Sequence, residues 1–229
     1  MAKLISVAGA PGSGSTTVSI QLAMKCAEQG ETVCIIFCDN RLPPKAYAMK
    51  NPKEDSLGKI LAAQEITDRL LLNAMDAVSD DVGVLGYCAA DHPYSYPEPT
   101  AASCQSFLKK ASLLVTTLIV DIGSETQTKL SAAAFEQADA VIVCVDGSVK
   151  ASSWKVRFHR PEKYITVLND LGKNSALDAD VCLPYSADLA QQNEEQAAFR
   201  LCRDKHYLSA LRKLHKATDV KKKKLTLIR

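Results

Sequence analysis

Gly9-Ala10-Pro11-Gly12-Ser13-Gly14-Ser15-Thr16-Thr17 is the stretch on which the reading of this chain turns. It fits the phosphate-loop frame G-x-x-x-x-G-K-[ST] at every position but one, where Ser15 replaces Lys. Glycines at 9, 12 and 14 let the backbone take positive φ and turn its N–H groups inward. A helix that starts just after them adds free N–H groups and a positive dipole end. The expected cradle is Gly9, Gly12, Ser13, Gly14, Ser15, Thr16 and Thr17, with Thr16 at the position whose hydroxyl ligates Mg²⁺. The plainer reading is a Gly-rich strand-to-helix turn that holds nothing.

The flanking sequence has the order that such a loop requires. Lys3 to Ala8 is a short apolar run with β-branched residues, which reads as a buried strand. Val18 to Ala27 carries apolar residues at helical spacing and stops near Gly30. Further strands are expected at Thr32–Cys38, Val82–Tyr87, Leu113–Val120, Ala140–Val145, Lys163–Leu168 and Val181–Pro184. Helices are expected at Ser56–Leu72, Ala101–Ala111, Gln127–Gln137 and over most of Leu189–Lys216. Asp91 to Pro99 reads as a Pro-rich loop with aromatics. Strands without polar alternation, separated by helices, imply an α/β fold: a mostly parallel sheet with helices on both faces, in three α/β/α layers. Ligands of such sheets sit at the carboxyl ends of the strands, which draws attention to Asp39, Asp121, Asp146 and Asn169.

Composition narrows the classes. A chain of 229 residues that is 47% apolar is most economically one domain, taken as 1–217 with a basic tail at 218–229. A net charge of +2 is too mild to argue for nucleic acid. The eight cysteines are scattered and form no C-x-x-C pair, as in a reduced cytoplasmic protein without a disulfide framework. The amino terminus reads as a strand rather than a signal peptide, and no apolar run approaches the ~20 residues of a spanning helix. The histidines (His92, His159, His206, His215) show no ligand spacing and read as surface residues. Trp154 and Phe158, at i and i+4, read as packing residues. Lys221–Lys224, followed by Leu225 to Arg229, is either a solvated end or a short electrostatic anchor for nucleic acid or the inner membrane face.

With these pieces in order, the chain resembles the MinD/ParA family of P-loop ATPases over nearly its whole length. Val120-Asp121-Ile122-Gly123 looks like that family's Walker B end, whose Asp holds the Mg²⁺ water shell. Ala138-Asp139-Ala140-Val141-Ile142-Val143 is similar to its following strand. Val167-Leu168-Asn169 looks like the strand whose Asn contacts adenine, and Leu183-Pro184-Tyr185 like the Pro on the base side. Asp39 falls on the second acidic position after strand two, which is linked to hydrolysis. The resemblance implies a P-loop NTPase-like fold, ATP/ADP with Mg²⁺ as cofactor, a homodimer, and protein partners in a positioning or assembly system. Three polar groups of the family pattern are missing: the loop lysine (Ser15), the lysine that reaches the partner's nucleotide (Ala10), and the first acid after strand two (Phe37).

One charge-assisted hydrogen bond contributes about 1.5–3 kcal/mol, or about 10–150-fold in affinity. Without its lysines the site is expected to bind nucleotide weakly and to hydrolyse it slowly or not at all. Such a degenerate loop resembles the CpaE/TadZ branch of pilus and secretion machinery, although the receiver-like domain of that branch has no counterpart before residue 9. Two other functions stay open: a small-molecule kinase, whose loop the Gly9–Gly14 stretch also resembles, and a nucleotide-free scaffold. Each site residue has a plain counterpart as well. Asp121 can end a strand, Asp39-Asn40 and Asn169-Asp170 are turn chemistry, and Asp146-Gly147 is first a turn.

Overall fold

The computed structural model describes residues 2–92, 94–156, 158, 164–170 and 178–226, with 220–226 as backbone only. In its first strand, β1 (Lys3–Gly9), alternate residues enter two different cores. Leu4 and Ala8 join one apolar cluster, while Ile5 and Val7 join the other. Ser6 sits among them at 0% exposure because its hydroxyl donates to the Ala134 carbonyl at 3.0 Å. A strand covered on both faces has no solvent side, so its sequence shows no polar alternation.

The other strands are β2 (Val33–Phe37), β3 (Asp76–Ala77), β4 (Val82–Gly86), β5 (Thr117–Gly123), β6 (Ala140–Val145), β7 (Tyr164–Asn169) and β8 (Val181–Leu183). They lie in the order β3-β4-β2-β5-β1-β6-β7-β8, and each described pairing is parallel except β3 with β4. The helices are α1 (Ser15–Glu28), α2 (Pro44–Ala48), α3 (Leu57–Leu61), α4 (Asp68–Ala74), α5 (Ala101–Ala111), α6 (Lys129–Gln137), α7 (Val149–Lys155), α8 (Ala187–Glu194) and α9 (Lys205–Thr226). Residues of α3 to α7 pack in the first cluster; residues of α1, α8 and α9 pack in the second. The expected three-layer α/β/α fold is therefore present.

The chain leaves β1 toward β2 on one side and returns through β5 to β6 on the other, so the carboxyl end of β1 is a topological switch point. The β1–β5 register slips between Val7 and Ala8, opposite Asp121 and Gly123. That irregularity sits where β5 brings Asp121 beside the loop that leaves β1.

Several local readings change. The helix expected over Ser56–Leu72 is two helices, α3 and α4, because Thr67 starts a new one by accepting from the Leu70 N–H at 3.2 Å. The strand expected from Leu113 begins at Thr117. Leu113 and Leu114 N–H groups bond back to Lys110 and Ala111 carbonyls, so the first part of that apolar run finishes α5. α2, α7 and β3 were not anticipated. The expected start of β7 at Lys163 lies outside the described residues, as does His159. Trp154 packs as expected, its ring centroid 4.7 Å from that of Phe158, which also meets Phe135 and Tyr164. His215 is not a surface residue: it is 6% exposed and pairs with Glu31. None of the described cysteines is in a disulfide. Among the described residues, no helix is long and apolar enough to cross a membrane.

Candidate functional site

Between β1 and α1 the loop turns on two left-handed glycines, Gly12 at φ 81° and Gly14 at φ 77°. Gly14 is also the N-cap of α1, so the helix begins at Ser15 and its first turn offers N–H groups that have no intrahelical acceptor. Gly9 is required for another reason. A Cβ there would lie 2.4 Å from Ser13 Oγ and 2.7 Å from Ser15 Cβ. The loop folds back this tightly because the Ser13 N–H reaches the Ala10 carbonyl at 2.9 Å.

A cavity of about 540 Å³ opens over this loop. Gly9, Gly12, Gly14, Ser15, Thr16 and Thr17 line it, with Asp39 from the end of β2 and Gly123 and Ser124 from the end of β5. Thr16 Oγ1 donates to Asp121 Oδ2 at 2.7 Å and ties the first turn of α1 to β5. Asp121 is 2% exposed, and its other carboxylate oxygen has no hydrogen-bond partner. Burial pushes its carboxyl up to about 6; the hydroxyls of Thr16 and Ser19 and the Gly123 N–H oppose that rise, and the nearby charge of Asp39 adds to it. A buried carboxylate with one oxygen lacking a close donor, next to a hydroxyl and a second carboxylate, fits a hard cation such as Mg²⁺.

The sequence-derived residues do not all reach the cavity. Ser13 faces beneath the loop, 1% exposed, with its hydroxyl unpartnered. Asn169 is 7% exposed and donates from Nδ2 to the Ser13 carbonyl at 2.9 Å, so it braces the loop from below. It also sets the need for glycine at 14, where a Cβ would lie 2.2 Å from Asn169 Nδ2. Neither Asn169 nor Pro184 is among the residues that line the cavity. Asp39 does line it, while its Oδ1 accepts from the N–H groups of Arg41 and Leu42 at 2.8 and 3.1 Å, which is also turn chemistry. Asn169→Ala is expected to cost about 1 kcal/mol of stability, read as a lower midpoint in urea denaturation.

Other residues of the wall were missed. Tyr47, from α2, lines the cavity with its hydroxyl facing Thr16. Burial raises its phenol above the ordinary value, the Thr16 hydrogen bond opposes this, and Asp121 and Asp39 add to it. Asn193 and Ala198 close the far side. Gln21 of α1 holds that segment in place. Its amide donates to the Arg200 carbonyl at 2.8 Å and its oxygen accepts from the Cys202 N–H at 2.8 Å. These wall residues follow no strand end, so the rule that led to Asp39 and Asp121 could not find them. The apolar period of α1 marks Gln21 as buried, and a buried glutamine implies partners.

The charge inventory is one-sided. Among the described residues that line the cavity there is a carboxylate, Asp39, but no lysine or arginine. Ala10 and Phe37, at two positions where the sequence lacks expected polar groups, are 3% and 0% exposed and pack as core residues. On the turn after β2, Arg41 pairs with Glu125 at 3.1 Å.

No protein-family model matches the chain, and the search of curated proteins gives no match. Solved structures do match. A ParA family ATPase from Chlorobium tepidum superposes with a TM-score of 0.78 at 13% identity, over 94% of this chain and 98% of that one. This chain has the MinD/ParA fold. The septum site-determining protein MinD of Pyrococcus horikoshii, complexed with Mg-ADP, gives a TM-score of 0.74 at 15% identity, over 96% of each chain. The MinC:MinD cell division protein complex of Aquifex aeolicus gives 0.68 at 13% identity, over 93% of this chain and 95% of that one. At these identities the likeness is one of fold.

Proposed function

We propose that this chain is a MinD/ParA-like positioning or assembly factor that binds nucleotide weakly and hydrolyses it slowly or not at all. The observation that carries this is the cavity itself. It keeps the loop backbone and the Thr16 hydroxyl, with the Asp121 carboxylate buried just behind Thr16, yet no described lysine or arginine lines it. Backbone N–H groups at the start of α1 favour an anionic phosphate. Thr16 and Asp121 would hold Mg²⁺, which would supply positive charge beside the phosphates. Among the described residues, none that lines the cavity adds a positive charge to that. Phosphoryl transfer is accelerated by positioned cations around the moving charge, so binding outlasts catalysis when the lysines are removed.

Support for a positioning role comes from the company the fold keeps. One structural neighbour is a septum site-determining protein with Mg-ADP, and another is half of a complex with a partner protein. We assign this chain the same kind of work: a dimer whose protein partners belong to an assembly or partition apparatus, with pilus or secretion machinery of the CpaE/TadZ kind as the specific setting. Contact of the basic tail with nucleic acid or a membrane is a secondary element of this reading.

Calorimetric titration with Mg-ATP and Mg-ADP, with mass followed by light scattering, tests it. The expected result is binding in the micromolar to millimolar range, a mass increase, and turnover near the uncatalysed rate. No heat and no mass change would point to a scaffold that has abandoned its ligand. Phosphate transfer to an added small acceptor would point to a kinase.

A further inference from the structure

At the amino-terminal end of the central strands, away from the phosphate loop, three potential ligands of three chemical kinds converge. Cys26 ends the buried face of α1, Glu31 sits between α1 and β2, and His215 comes from α9. A sulfur, a carboxylate oxygen and a ring nitrogen of these residues all lie within 4.8 Å of one another. Cys26 is 0% exposed and His215 6%. His215 Nε2 is 3.2 Å from Glu31 Oε1. Two metal bonds of ~2.0 Å at a tetrahedral angle span about 3.3 Å, so this edge already has the length that a zinc site needs.

The surroundings orient the donors. The Thr117 hydroxyl donates to Glu31 Oε2, which keeps Oε1 turned toward His215. Asp219, one helical turn beyond His215, brings a further carboxylate, held 2.6 Å from Lys3 Nζ. An ordinary His–Glu ion pair accounts for two of the three residues and gives Cys26 no part. Burial pushes the Cys26 thiol up to about 12, with the charge of Glu31 adding to it. A coordinated cation reverses that balance, because a metal-bound thiol is deprotonated outright.

We propose that Cys26, Glu31 and His215 form a site for one divalent transition ion of the zinc type, with Asp219 or a water as fourth ligand. A thiolate, an imidazole and one carboxylate are a donor set that suits zinc and suits calcium or magnesium poorly. The ion would fasten α9 to the end of α1 and to the turn before β2. This is separate from the phosphate loop and independent of the nucleotide reading.

The test uses the full chain, stripped with chelator and titrated with Co²⁺. Expected are one equivalent bound, a thiolate-to-cobalt charge-transfer band with the visible bands of tetrahedral cobalt, displacement by Zn²⁺, and a higher melting temperature with Zn²⁺. Cys26→Ala and His215→Gln should lose both the spectrum and the thermal shift. If Cys26→Ala does not fold, Glu31→Gln serves, since it keeps the shape and should weaken Co²⁺ by about tenfold or more. Absence of the band at one equivalent overturns the proposal. So does a band that survives in Cys26→Ala or His215→Gln, which would mark adventitious binding to another cysteine, or a Co²⁺ affinity that Glu31→Gln leaves unchanged.

Discussion

Ser15→Lys is expected to raise the affinity for Mg-ATP by about 10–150-fold, the return of one charge-assisted hydrogen bond worth about 1.5–3 kcal/mol. The geometry favours the substitution. Ser15 is the first residue of α1 and lines the cavity over the loop. Lysine keeps the Cβ that already packs against Gly9, and the rest of its chain extends into about 540 Å³ of open space. Lysine is also a good helix former, so the first turn of α1 should tolerate it. In the absence of nucleotide the new ammonium would face Asp39 across the cavity rather than an apolar wall. Calorimetry on the two proteins side by side gives the ratio directly. Mg-ADP should gain less than Mg-ATP, because the loop lysine reaches the β and γ phosphates. Hydrolysis should stay slow, since Ala10 supplies no second cation. Unchanged affinity would mean that the cavity does not receive a triphosphate, and the nucleotide reading would fall with it.

What the sequence disclosed and what it withheld follow from the range of the interactions involved. Strand ends were legible because β-branched runs close on a polar residue, and the parallel-sheet rule then pointed to Asp39 and Asp121. The loop was legible because its glycine spacing is local. Asn169 reads as a contact for adenine, yet its amide braces the Ser13 carbonyl from beneath, a contact across 156 positions that no spacing encodes. Tyr47 escaped because the short helix α2 that carries it has too few residues to show a period. The Leu113–Val120 run misled for the same reason: apolar residues at a helix exit and in a following strand look alike when they are contiguous. His215 shows the same limit in another form. Its companions Glu31 and Cys26 come from elements far apart in the chain, so a search for local ligand spacing could not bring them together.

Asp121→Asn should separate stability from ligand response more sharply than any other single change in the site. Burial places the folded carboxyl near 6 instead of its ordinary 3.8. A folded value above the unfolded one means that the ionised group opposes folding. That opposition is absent below about pH 4, grows between pH 4 and 6, and is complete above about pH 6. At about 1.4 kcal/mol per pH unit, the displacement amounts to about 3 kcal/mol at pH 7. Asparagine keeps an oxygen to accept from Thr16 and removes the charge, so the variant should be more stable than the parent by up to about 3 kcal/mol at neutral pH. The gap should shrink as pH falls through 6 toward 4, which urea denaturation at stepped pH would follow. The same change should abolish the Mg²⁺ dependence of nucleotide binding, because Asp121 Oδ1 is the buried acceptor left free for a cation or its water. In the parent, Mg²⁺-dependent affinity should be level above about pH 6 and fall by about tenfold per pH unit below it, as one proton competes for the carboxylate. A destabilised Asp121→Asn at pH 7 would make the carboxylate a structural partner of Thr16, and its burial would then say nothing about a metal. A stabilised variant that has lost its Mg²⁺ response would show that the fold carries a costly charge at the switch point of its sheet, a cost that a turn with no ligand has no reason to keep.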